Sequence, residues 1–410
     1  MDNKTLMPAY MREFKCIGAE CEDTCCALWS IWVDQETFMK YKRVEHPTLS
    51  AQLKSDVKVN KANERTKSNY AVMKLNQKTG ACCFYADGLC SIQKELGEAY
   101  LSQTCATYPR TVNEIAGKQE VSAVLSCPEA ARIALLNPEG IDFVYEEPLT
   151  ATNLQWSARV NPKQTEASPQ YKQFWELRVL AIEIIQNRRF SLPHRFMQLA
   201  VFADRVDDSL KINKDYPLTQ LIDQFRIELS SEQGIAATAI FPVNHQFQLR
   251  FLNDLLQTVM IQNLWHNIRY KECLDEYIEG MQAGGNGSLD ELIEYYDRIY
   301  AEYYQPFDVE HEYIMENYLV NQIYNSMFPL SANSNMFGSV LQLGISYALI
   351  RTHLIGMSAV HRGLTPDLAI KLVQSFTRNF EHAKKFKQIV KDKCKNENIE
   401  LGHLSLLIMH

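Results

Sequence analysis

The sequence predicts a mainly α protein: a small, irregular, cysteine-rich N-terminal domain with a few short strands, then a large all-helical domain, and no Rossmann fold. Three observations carry this. Nine of the eleven cysteines fall within residues 1–127, apolar spacing changes to the helical period beyond residue 170, and no Gly-x-Gly-x-x-Gly turn occurs. A chain of 410 residues with 46% hydrophobic and 22% charged residues can bury a core large enough for more than one domain. The 42 Lys+Arg against 49 Asp+Glu leave a formal charge of −7. That balance argues against a protein that works mainly by gripping nucleic-acid backbone.

The first 15 residues hold no apolar run of leader length, so the expected setting is the cytoplasm, where thiols stay reduced. A dense cysteine set there reads as metal-binding rather than as a disulfide framework. Residues 1–140 are expected to form the cysteine-rich domain, with strand-like pieces at 29–33 and 71–75 between polar loops. Asp87-Gly88 favours a tight hairpin, because both central residues tolerate positive φ, and would fold Cys83 back towards Cys90. A helical run is expected over 93–101, and Pro109 is expected to prevent helix continuation after Cys105. Residues 141–170 carry Pro148, Pro162 and Pro169 among polar residues and read as a linker or surface strap.

Residues 171–410 are expected to be the helical domain. Segments 171–187, 196–210 and 252–265 show helical apolar spacing. Ser288 before Asp290-Glu291, and Thr365 before Pro366-Asp367, are helix-start signals. Residues 317–350 run 34 positions without a charge, long enough to raise the question of a membrane span. Five Asn, two Gln, five Ser and Pro329 within the run predict a buried helix pair and no span.

The first cysteine cluster reads Cys16-Ile-Gly-Ala-Glu-Cys21-Glu-Asp-Thr-Cys25-Cys26; the second comprises Cys82, Cys83, Cys90, Cys105 and Cys127. Soft thiolates select zinc, copper(I) or iron–sulfur clusters. The first 45 residues contain no histidine, which favours iron–sulfur over a mixed zinc site. The spacings match neither a two-CxxC zinc ribbon nor the bacterial ferredoxin run. They also miss the CxxxCxxC loop of radical-SAM enzymes: Cys21 and Cys25 fit the first gap, but position 28 is leucine. A site whose ligands come from separate segments is the expected geometry.

Five segments resemble the flagellin lysine-N-methylase family, FliB: Phe14-Lys-Cys-Ile-Gly-Ala-Glu-Cys-Glu-Asp-Thr-Cys-Cys26, Trp32-Val-Asp34, Asp87-Gly-Leu-Cys-Ser-Ile-Gln-Lys-Glu-Leu-Gly97, Thr104-Cys-Ala-Thr-Tyr-Pro-Arg110 and Ser126-Cys-Pro-Glu-Ala-Ala-Arg132. The cysteine arrangement is also similar to that of the broader cysteine-cluster proteins described as zinc- or iron-chelating. Further on, Glu316-Asn-Tyr-Leu-Val-Asn-Gln-Ile-Tyr-Asn-Ser-Met-Phe-Pro329 resembles another FliB segment, so the likeness spans about residues 8–330. The resemblance implies methyl transfer from S-adenosylmethionine to lysine ε-amines of flagellin, with a four-iron four-sulfur (4Fe-4S) cluster required. It maps the family's cysteines onto Cys16, Cys21, Cys25, Cys26, Cys83, Cys90, Cys105 and Cys127, of which four would hold one cluster. Cys82 is left out, since the family commonly has another residue type there. The same residues also admit a non-enzymatic iron or zinc binding or delivery protein with a helical partner-binding module, or a zinc-stabilised scaffold.

An SN2 methyl transfer needs a neutral lysine amine held in line with the methyl–sulfonium bond. Residues 290–318 carry nine Asp+Glu, one Arg and seven Tyr, a wall able to attract a lysine and surround its cation. The plainer expectation is an amphipathic helix pair with a solvated acidic face and buried rings. Arg351 and His353 are expected at a helix rim, the six lysines between Lys384 and Lys395 on a solvated face, and Gly284-Gly-Asn-Gly287 in a polar loop. The spacing assigns neither a catalytic base nor a donor pocket.

Overall fold

The computed structural model describes residues 4–61, 65–148, 155–160, 168–231, 241–262, 264, 266–284, 288–330, 335–381 and 383–410. Trp265 and residues 285–287 of the glycine-rich loop lie outside them. The chain forms two units, one of Met1–Ala130 with Phe143–Val160, the other of Ala131–Asp142 with Asn161–His410.

Among the described residues, the first unit contains ten short strands: β1 (Thr5–Pro8), β2 (Trp32–Val33), β3 (Val57–Val59), β4 (Ala71–Met73), β5 (Tyr85–Ala86), β6 (Leu89–Cys90), β7 (Arg110–Ile115), β8 (Lys118–Ala123), β9 (Phe143–Glu146) and β10 (Trp156–Val160). They make a five-stranded sheet ordered β10-β7-β8-β1-β9, a three-stranded sheet β2-β4-β3 and the β5-β6 hairpin. Asp87 and Gly88 both have positive φ, 51° and 79°, as the two-residue turn of that hairpin requires. Segments 143–146 and 156–160, read from their prolines and polar neighbours as part of a strap, instead supply β9 and β10. β9 runs antiparallel to β1, and β10 parallel to β7, so their backbone groups are satisfied by strands far away in sequence. The run over 93–101 is a helix at Ser91–Leu96, broken at Gly97 (φ 87°), and a 3₁₀ turn at Glu98–Tyr100. The helix Gln103–Thr107 stops ahead of Pro109.

In the second unit the expected helices are present at Phe174–Ile185, Leu192–Ile212 and His245–Ile261. Ser288 caps Leu289–Ile299 through a reciprocal bond with Glu291, and Thr365 accepts from the Leu368 N–H ahead of Pro366–Phe380. The uncharged run becomes the end of Gln305–Asn325 and most of Met336–His361. By length and composition the latter helix could cross a membrane, but 78% of its apolar window is buried inside the protein. Asp207 anchors its start, accepting the N–H groups of Met336 and Phe337 at 2.9 and 2.8 Å. Ile268–Gln282 crosses it at Gly280 and Gly356. A Cβ on Gly280 would sit 1.9 Å from the Gly356 carbonyl oxygen, so the approach needs glycine.

Gln305–Asn325 is held by buried charge. Glu316, with 2% of its side chain exposed, accepts from fully buried Arg195 at 2.5 Å and from Arg188 at 2.9 and 3.0 Å; Arg195 also pairs with Glu312. Removing one member of a buried pair strands the other charge. Glu316→Ala is therefore expected to lower unfolding stability by about 3 kcal/mol. Glu183→Ala, which breaks the exposed Glu183–Arg226 pair, is expected to cost less than about 1 kcal/mol. Urea denaturation of the two variants checks the contrast; equal losses would contradict it.

Candidate functional site

The cysteine segments of the first unit are tied together by backbone. Ala27 bridges Ala81, the Leu28 N–H donates to the Gly80 carbonyl at 3.0 Å, and the Cys82 N–H to the Cys26 carbonyl at 2.7 Å. The Trp29 indole donates to the Cys25 carbonyl at 2.6 Å. Asp34 caps Gln35–Lys42 through the Thr37 N–H at 2.9 Å and also accepts the Gln103 N–H at 3.0 Å. One carboxylate thus fixes the start of the helix that carries Cys105, a role a buried acid takes on because it satisfies two orphan donors. Tyr108 bonds Ser126 at 3.2 Å, and Arg110 lies over the Phe14 ring at 5.2 Å.

These contacts enclose a cavity of about 380 Å³ lined by Cys16, Cys21, Cys25, Cys26, Cys90, Cys105 and Cys127, near the small end of the range for ligand sites. Among the described residues, Cys82 and Cys83 do not line it. Cys82 is buried and donates to the Met73 sulfur at 3.7 Å. Cys83 lies by Lys74 and Asp56, its carbonyl taken by Gln52 at 2.8 Å. Of the eight cysteines mapped by resemblance, the fold gathers seven around the cavity and leaves Cys83 outside its lining.

Burial raises the pKa of Cys21 and Cys90, and lifts Cys105 and Cys127 to about 12. Neighbouring thiols, Cys25 among them, add to the rise at all four and at Cys82. Opposing this, peptide N–H groups of Ile92 and Gln93 point at the Cys90 sulfur, and those of Glu129 and Ala130 at Cys127. Both thiols sit where a helix begins, and such groups stabilise a thiolate. Without a cation most of these thiols stay protonated; a bound metal reverses that preference. One tetrahedral zinc holds its sulfurs at about 2.3 Å, hence about 3.8 Å apart. Among the described residues, the group whose donor atoms lie within 4.8 Å of one another is not among these thiols.

Residues 178–407 match the FliB lysine N-methylase C-terminal domain. The chain belongs to the FliB lysine N-methylase family. It is similar to the lysine-N-methylases of Salmonella typhimurium and Salmonella choleraesuis, each 24% identical over 409 residues covering 97% of this chain and 98% of the relative. The flagellar biosynthetic protein FliU of Salmonella muenchen is 32% identical over 135 residues, covering 33% of this chain and 78% of that protein. No solved structure matches.

Within the FliB C-terminal domain, residues 290–318 follow the amphipathic reading in their first part only, since Glu316 on the second helix is buried. Tyr296, Tyr304 and Tyr318 are buried, while Asp290, Glu291, Glu294, Asp297 and Glu302 face solvent. Arg351 and His353 are buried rather than at a rim. Arg351 donates to the Ile408 carbonyl at 2.7 Å and lies over the Tyr300 ring, and His353 contacts the Tyr270 hydroxyl at 3.2 Å and the Leu349 carbonyl at 2.7 Å. His245, Asp297 and His410 gather donor atoms within 4.8 Å, an arrangement the spacing did not signal. Burial holds both imidazoles below their ordinary pKa, with Arg351 adding to it; at His245 the Asp297 carboxylate acts the other way. The lysines of Lys384–Asn396 also divide: Lys393 pairs with Asp254 and Glu397, while Lys384, Lys387 and Lys391 edge a cavity.

The thiol chemistry sets an order of reactivity. The adjacent Cys82 side chain lowers the Cys83 pKa, whereas Cys105 and Cys127 are held at about 12. In metal-free protein at pH 7.5, iodoacetamide is expected to label Cys83 more than about tenfold faster than either, read by peptide mass spectrometry. Faster labelling of Cys105 would refute the assignment.

Proposed function

We propose that this chain is a protein-lysine N-methyltransferase that moves a methyl group from S-adenosylmethionine to lysine ε-amines of flagellin, and that its cysteine domain carries a 4Fe-4S cluster. The observation that carries the cluster is the gathering of seven thiols, from four chain segments, around the first-unit cavity, whose lining contains no histidine. The methylase reading is supported by family membership and by full-length likeness to proteins named lysine-N-methylase. The flagellar substrate is supported by the name of the FliU relative.

Four of the seven lining thiols, Cys16, Cys21, Cys25, Cys26, Cys90, Cys105 and Cys127, would hold the cluster. When bound, such a group ties separate segments into one domain and supplies a one-electron centre. The peptide N–H groups at Cys90 and Cys127 favour their thiolate forms, and Asp34 keeps the Cys105 helix in place. In a direct transfer the lysine ammonium first gives up a proton to solvent; the Nε–C bond then forms as the C–S bond breaks, and S-adenosylhomocysteine leaves. Deprotonation costs a group with an ordinary pKa near 10.4, so the acceptor must be bound where its neutral form is favoured.

The decisive assay uses anaerobically purified protein. Iron and acid-labile sulfide are measured first; the protein is then incubated with S-adenosylmethionine and flagellin, and flagellin is weighed intact. Mass increments of one methylene each are expected on flagellin. Cys25→Ser and Cys105→Ser are expected to lose most of the iron and the increments, whereas Cys83→Ser, Cys273→Ser and Cys394→Ser are expected to retain both. A protein holding only zinc would overturn the cluster, and cluster-replete protein that adds no mass would overturn the methylation.

A further inference from the structure

The helical unit contains a cavity of about 410 Å³ that the core ion pairs do not explain. Its walls come from Gln305–Asn325, Met336–His361 and Lys384–Asn396, and from Glu381 just beyond Pro366–Phe380. Half-buried Glu381 accepts hydrogen bonds from Gln322, from the Thr377 hydroxyl at 3.2 Å and from Tyr318. Its donors are neutral side chains, with Lys387 acting from further off, and burial holds its carboxyl up at about 7. Phe328, Phe380 and Phe386, each at most 3% exposed, supply aromatic wall, and the last two rings lie 4.6 Å apart. Lys384, Lys387 and Lys391 stand at i, i+3 and i+7, on one face of their helix, and all three border the cavity. A neighbouring cavity of about 350 Å³ shares Gln342 and Lys391 in its lining.

The charge pattern restricts the occupant. A carboxylate with neutral partners selects a cation, three lysines select an anion, and aromatic rings accept a planar heterocycle. A substrate lysine suits the carboxylate but is repelled by the three lysines. A polyanion suits the lysines but meets a carboxylate. A molecule carrying a cationic centre, a carboxylate and a purine suits all three, and the volume lies within the range of small-molecule sites. We propose that this cavity binds the adenosyl sulfonium methyl donor, with its cationic centre towards Glu381, its carboxylate towards Lys387 and Lys391, and its base against the phenylalanines. The assignment rests on the methyl-transfer reading for the identity of the ligand.

The test is calorimetric titration of S-adenosylmethionine into the full, cluster-loaded chain, paired with the flagellin mass assay. Glu381→Gln and the double substitution Lys387→Glu/Lys391→Glu are each expected to weaken binding by about tenfold or more and to raise the KM for the donor. Lys385→Glu, exposed and outside the lining, is expected to change neither. The lysine substitutions lie on the surface and decide the matter if Glu381→Gln melts early. Unchanged donor affinity in both variants, with wild-type methylation intact, would overturn the placement and leave the methyl-transfer reading standing. A wild-type chain that neither binds the donor nor methylates would overturn both.

Discussion

The buried pairing of Glu316 with Arg195 and Arg188 sets the position of Gln305–Asn325, and much of the helical unit depends on that helix. From Ile314 to Asn321 this helix is buried on every side and has no solvent stripe to orient it, so specific polar contacts must do so. Glu312 and Glu316, four residues apart, face Arg195. On the next face Asn317 donates to the Asn137 carbonyl at 2.9 Å and reaches the Leu135 carbonyl at 3.3 Å. On a third face Tyr318, Gln322 and Asn325 border the cavity with Glu381. Spacings of three and four residues keep each set on its own face, so a slip of one residue would unpair a buried charge and misplace the cavity wall together. The ion pair therefore gives the helix its register, whatever its net contribution to stability.

The cysteine unit solves a different problem. A set of thiols brought together by burial resists ionisation, as the raised values at Cys105 and Cys127 show, and each thiolate formed raises the cost of the next. Backbone N–H groups at Cys90 and Cys127 offset part of this, and Asp34 and Tyr108 hold the segments in place with bonds that do not involve sulfur. The residues of the resemblance that are not cysteines thus have a physical role, because they fix sulfur positions independently of whatever the sulfurs hold. That division lets the scaffold be tested separately from anything the sulfurs bind.

What was legible in the sequence was mostly local. Asp87-Gly88 turns where its backbone freedom predicts, Pro109 follows the end of a short helix, and Ser288 caps with Glu291, because each signal lies within a few residues of its effect. Strands β9 and β10 carry little local signal because their partners are distant: Phe143 pairs with Pro8 and Val160 with Ile115, and five residues of alternation among prolines show little periodicity. Charge after an apolar run usually marks a helix end, which is why Arg351 and His353 read as rim residues. They are buried because their partners, the Ile408 carbonyl and Tyr270, lie 57 and 83 residues away. The cysteine skew located the sulfur site without structure, but only the fold separates Cys83 from the other seven.

Glu381 illustrates why the second cavity had no sequence signal at all. It is one acid at the end of a helix, four residues beyond Thr377, and its other partners come from a helix some sixty positions earlier. Elsewhere in the unit, buried charge meets opposite charge or backbone dipole: Glu316 has two guanidinium partners, Asp207 two peptide N–H groups, Arg351 a carbonyl and two rings. Glu381 is instead supported by an amide and two hydroxyls, enough to solvate a carboxylate but too little to neutralise it. A folded chain tolerates such a group at a cost of its desolvation, and perturbed acids in cavities concentrate where ligands bind. With lysines at the edge and phenylalanines at the wall, the incomplete compensation at Glu381 has a direction, towards a positively charged small molecule in the cavity.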